Sequence, residues 1–164
     1  MRKLFAIAAL GLAAFASLGF QQAGQPEARP RSGMRFEAVD VFVDSGAAGL
    51  GAYQVEVKAE DAAGAAFKTR VTLVGVEGGV HAAYKDAPHY DPAALHEDQL
   101  QDRIILAAFN TGADLPTGRT RVARIHVQVE GPEPVFKVEM KTAATADGTK
   151  IDATATAGAA GDAK

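Results

Sequence analysis

The chain has 164 residues, 48% of them hydrophobic, with no cysteine, no tryptophan and a formal charge of −3. Lack of cysteine excludes disulfides, a thiol nucleophile, thiolate metal ligands and lipid attachment at a processed Cys. The mildly acidic balance argues against nucleic acid and anionic membrane surfaces as partners.

Met1-Arg2-Lys3 is a short basic head, Leu4 through Phe20 carry no charge, and Ala14-Phe15-Ala16 supplies a small-x-small cleavage pattern. This is the layout of a secretory signal peptide over residues 1–20. A spanning helix needs about 20 predominantly apolar residues. The present stretch is shorter and rich in Ala and Gly, so cleavage is the reading and retention as an anchor the alternative. Loss of Arg2 and Lys3 leaves 15 basic against 20 acidic side chains, a balance of −5. The expected location is secreted, periplasmic or at the cell envelope, with no membrane span after signal removal. Residues 21–34, with Pro26, Pro30 and several charges, read as a flexible linker. Residues 35–157 are one domain's worth of chain, and the Ala/Gly-rich residues 158–164 read as a disordered tail.

From residue 35 onward, period-two alternation dominates, which in a strand sends alternate side chains to opposite faces. Tyr53, Val55, Val57 and Ala59 alternate with Gln54, Glu56 and Lys58. Phe67 to Leu73, Ala123 to Val129 and Phe136 to Met140 repeat the pattern. Val39–Val43 is apolar at alternate positions with Phe42 on the other side, and Ile104–Phe109 is apolar throughout, which suits a central strand covered on both faces. Asp44-Ser45-Gly46, Gly49-Leu50-Gly51 and Pro116-Thr117-Gly118 punctuate the runs, and Asp147-Gly148 predicts a hairpin. Asp91 as a cap, Pro92 at a first position and the helix formers of Ala93–Leu100 predict one short helix near 91–100, with an irregular loop as the alternative. The fold class is all-β, a single sandwich.

Leu50-Gly51-Ala52-Tyr53-Gln54-Val55-Glu56-Val57-Lys58 resembles the early strand of cohesin domains. Val74-Gly75-Val76-Glu77-Gly78-Gly79 is similar to the next strand and its glycine exit, and Tyr90-Asp91-Pro92-Ala93-Ala94-Leu95 to the family's Tyr-Asp-Pro turn. Ile104–Asn110 and Gly118–Val129 are similar to its paired central strands. Here Tyr-Asp-Pro does not follow the early strand directly as it does in cohesins. The resemblance spans residues 35–157 and implies a jelly-roll-like sandwich of about nine strands, related to bacterial carbohydrate-binding sandwiches. No dockerin-contacting residue is carried over.

His81, His89 and His96 lie with Tyr84, Asp86, Tyr90 and Asp91 in one loop-rich stretch. Imidazoles and carboxylates suit zinc or copper, but no compact metal motif is present, and an exposed polar loop with incidental histidines is the simpler reading. Ser45 has no Gly-x-Ser-x-Gly frame, and Glu56 and Glu139 fall on wet strand faces with nothing to oppose them as a glycosidase pair. No catalytic residue, metal or cofactor is therefore assigned, and the chain reads as a non-enzyme. The leading function is an exported, non-catalytic protein-interaction or adhesion module. A carbohydrate-binding module is the alternative, and a metal-dependent or hydrolytic enzyme the third reading. The partner is another exported protein or a polysaccharide. Loops on rigid scaffolds often carry function, so Tyr84, His89 and Tyr90 are the candidate contact residues, with the tyrosines as anchors.

Overall fold

The computed structural model describes residues 33–61, 69–91 and 103–161. The signal peptide, nearly all of the linker, the first part of the Phe67–Leu73 run and the short helix expected near 91–100 lie outside the described residues, apart from Asp91. Seven strands are present among the described residues: β1 (Met34–Asp44), β2 (Ala52–Asp61), β3 (Arg70–Gly78), β4 (Arg103–Phe109), β5 (Arg119–Glu130), β6 (Pro134–Ala144) and β7 (Thr154–Ala159). Helical structure among the described residues is limited to a single 3-10 turn, Ala82–Tyr84. No helix among them is long and apolar enough to cross a membrane.

The strands form two antiparallel sheets, one of four strands in the order β3-β5-β1-β7 and one of three in the order β4-β2-β6. Among the described strands, each next strand lies in the other sheet, so none of them pairs with its neighbour in sequence. The inward set predicted for β2 is the core: Tyr53, Val55 and Val57 meet Val39, Val41 and Val43 of β1 and Ile125, Val127 and Val129 of β5, with Ile104 and Leu106 from β4. Burial of such side chains contributes about 1.5–3 kcal/mol each.

Four expectations need correction. The strands number seven among the described residues, not about nine, because residues 79–91 and 110–118 are tied down as loops. Gly79 N–H donates to the Tyr84 carbonyl and Leu50 N–H to that of Pro116. Ile104–Phe109 is an edge strand rather than a central one. Ile104 and Leu106 face the core while Ile105 and Phe109 face outward, so its unbroken apolarity does not reflect two covered faces. Asp147-Gly148 does make a tight turn, with Gly148 at φ 84°. Past the Ala144–Lys150 bridge the chain crosses to the other sheet instead of completing a hairpin. Residues 158 and 159 are not tail: Gly158 pairs with Asp40 and Ala159 with Val39.

Candidate functional site

Tyr84, expected as an exposed anchor, is a core residue, 3% exposed. Its hydroxyl donates to the Leu50 carbonyl at 2.6 Å. Burial pushes its phenol up to about 12, and nothing of the ring is left for a partner. Tyr90 is half-buried against the core. His89 is exposed, and its backbone forms a two-way bridge with Ala107, the N–H donating at 2.7 Å and the carbonyl accepting at 2.9 Å. This adds one rung to the free edge of β4. His81 caps the 3-10 turn, its Nδ1 accepting from Ala83 N–H at 3.2 Å. His96 lies outside the described residues, and among those residues no three His, Asp or Glu side chains group as a metal site. Of the three candidate contact residues, the loop thus presents His89 fully and Tyr90 in part.

Glycines fix this loop against the sandwich. A Cβ on Gly78 would fall 2.0 Å from the Lys85 carbonyl oxygen, and one on Gly79 would fall 2.2 Å from that of Arg121. Only glycine permits so close an approach of backbone to backbone. The Asn110 side-chain amide closes the other flank, donating to the Ala83 carbonyl at 3.0 Å.

Charge and geometry concentrate elsewhere, on the outer face of the four-stranded sheet. β5 carries one extra residue against β1: Val41 pairs with Ala123 and Phe42 with Arg121, leaving Val122 unmatched. Such a bulge reverses the alternation and re-aims the side chains before it. Val122 and Ala123 are both fully buried in consequence, and Arg121 and Arg119 join Arg124 on the outer face. A strict period-two reading places Arg121 and Arg124 on opposite faces. The adjacent apolar pair Val122-Ala123 between two arginines was the available signal.

These arginines surround Asp40, which is 1% exposed although it lies on the outer face. Arg124 grips it from two sides, Nε donating to Oδ1 at 2.7 Å and Nη2 to Oδ2 at 3.0 Å, while Arg121 Nη1 donates to Oδ1 at 3.0 Å. Burial alone would raise the Asp40 carboxyl, but the hydrogen bonds from Arg124 and Arg121 outweigh it and hold the group below its ordinary value. Arg119 has a different support: its guanidinium carbon stands 3.6 Å from the centre of the Phe42 ring. An open groove of about 510 Å³ runs along these residues, bounded by Val80 and Gly161. Toward the other end of the same face, His126 Nε2 lies 2.9 Å from Glu77 Oε1, and beyond it Met34 and Phe36 are exposed.

The outer face of the three-stranded sheet is the wet, charged surface its alternation predicts. Glu56 sits at its centre between Lys58 Nζ at 2.8 Å and Lys141 Nζ at 3.1 Å. The ammonium groups of Lys58 and then Lys141 hold it below its usual value. Lysine stems cover it from outside, so its low exposure is not immersion in the core. Phe109 projects from this face, 81% exposed.

Comparison of the chain with protein-family models, with characterised proteins and with solved structures finds no match.

Proposed function

We propose that the protein is an exported, non-catalytic interaction module of cohesin-like type that binds another exported protein through the outer face of its four-stranded sheet. The observation that carries this reading is the bulge at Val122, which gathers three guanidinium groups on one rigid face. Bulges re-aim side chains where a surface is put to use, and arginine is enriched at protein interfaces. Exposed Met34 and Phe36 on the same face add the apolar contact that such an interface needs. The leader-like residues 1–20 support export. The second reading, a carbohydrate-binding module, is favoured by Phe109, an exposed ring at the end of β4 that a sugar can stack against.

The test begins with capture of partners by the mature domain from the secreted and envelope fractions of its host, with and without chelator. A purified partner is then titrated against wild type and against Phe36→Ser with Arg119→Gln. The proposal expects the double variant to keep its fold and to lose at least about tenfold in affinity. Full affinity in the double variant, or capture of a polysaccharide in place of a protein, would overturn it.

A further inference from the structure

We infer that the groove beside Asp40 is a carboxylate-binding site whose ligand is an Asp or Glu side chain in an acidic segment of the partner protein. This deepens the interaction-module reading and rests on it.

The argument is one of donors and acceptors. Each guanidinium offers five N–H donors in a fixed planar fork. Asp40 receives three contacts from Arg121 and Arg124, which leaves most of their donors unspent. Arg119 has no hydrogen bond or ion pair among the described residues; a ring holds it, so its whole fork is free. Arg121 Nε is buried and has no hydrogen-bond partner among the described residues. Three guanidinium groups line the groove against one carboxylate, Asp40; Asp44 and Glu77 lie outside that lining, opposite Arg119 and Arg124 in the strand ladders. The lining of the groove therefore holds more positive than negative groups, on a chain whose net charge is −3. A carboxylate matches the arginine fork with two parallel hydrogen bonds.

Asp40 acts as a template. Its two-sided hold on Arg124 and its bond to Arg121 fix both side chains before any ligand arrives, so less rotamer entropy is lost on binding. Phe42 does the same for Arg119. That stack also separates protein from sugar as the source of the carboxylate. Sugar rings need an open aromatic face, and the one ring in the groove is 3% exposed beneath Arg119. Val80, 65% exposed at the rim, instead offers apolar surface to the aliphatic part of a peptide.

The experiment follows the arginine Nε–H signals of the full mature chain by NMR. The probes are a peptide of repeated Glu-Ala-Gly, its Gln-Ala-Gly counterpart, inorganic phosphate and oligogalacturonate. The expected result is a saturable shift of the Arg119 and Arg121 signals with the Glu peptide alone, weakened at least about tenfold by Arg119→Gln. That variant leaves the Asp40 network intact, and a urea midpoint equal to wild type checks its fold. No shift with the Glu peptide, equal shifts with the Gln peptide or phosphate, or a response confined to oligogalacturonate would each overturn the inference. A natural partner lost on Phe36→Ser but indifferent to Arg119→Gln would sink the carboxylate site and leave the interaction-module reading standing.

Discussion

The Tyr84 hydroxyl reaches across to the Leu50 carbonyl, and the Tyr84 ring stands edge-on to Tyr53 with centroids 5.2 Å apart at 73°. This pair locks the 79–91 loop to the connection between β1 and β2. Tyr84→Phe strands the buried carbonyl and is expected to cost about 1–2 kcal/mol, while Tyr84→Ala adds a cavity and costs about 3–5 kcal/mol. Urea unfolding measures both. An unchanged midpoint for Tyr84→Phe would mean that the carbonyl finds water instead.

The same pair predicts weakness to alkali. Burial raises both phenols, Tyr84 to about 12, and Tyr53 further, with the Tyr84 charge adding to the effect of burial. The unfolded chain releases these protons near pH 10, about where free tyrosine titrates. A group with a raised native pKa contributes its stability below the unfolded value and loses it as pH rises through the folded one. Stability should therefore fall from about pH 10 upward, and Tyr53→Phe should flatten that decline. A near-UV absorbance titration in which folded and unfolded chains ionise together would refute this.

Asp40 carries the opposite sign. Its native pKa is lowered, so its contribution is present above the unfolded value of about 3.9 and lost as pH falls through the lower folded one. Asp40→Ala is expected to cost about 2–3 kcal/mol at neutral pH, since Arg121 and Arg124 are partly solvated and can turn to water. Asp40→Asn should show a shallower acid limb than wild type in urea midpoints measured against pH. Parallel limbs would show that the charge on Asp40 contributes nothing.

Neighbours on β4 test the assignment of faces. Leu106 is fully buried, and Leu106→Ala should cost about 2–5 kcal/mol. Ile105 points outward, and Ile105→Ala should cost less than about 1 kcal/mol. Equal losses in denaturant unfolding would place β4 in the wrong register.

Alternation alone identified the inward sets of β2 and β5, because burial on one face imposes a period of two wherever a strand is regular. It failed where regularity does. The bulge at Val122 hid the arginine face, since Arg119, Arg121 and Arg124 share a side only after one residue slips. It also failed for β4, because exposed Ile105 and Phe109 obey no burial rule. Tyr84 looked like a loop residue, being flanked by His81 and Asp86, and its sequence neighbours give no hint of the Leu50 carbonyl that draws it inward. Asp147-Gly148 specified its own turn correctly, but a turn determines only the residues beside it, and after Ile151, whose N–H still donates to the Ala143 carbonyl, the chain leaves for the other sheet.

The alternation of successive strands between sheets has a consequence for how the chain comes together. As it emerges N-terminus first, β1 meets no partner until β5 has appeared, and β2 waits for β4. No hairpin within a sheet can form early and act as a seed, so each pairing must close a long loop before any ladder repays the lost entropy. A nascent chain that ends before β4 therefore holds strands with no partner yet in their own sheet. Among the described strands β7 joins last, at the edge of the four-stranded sheet beside β1.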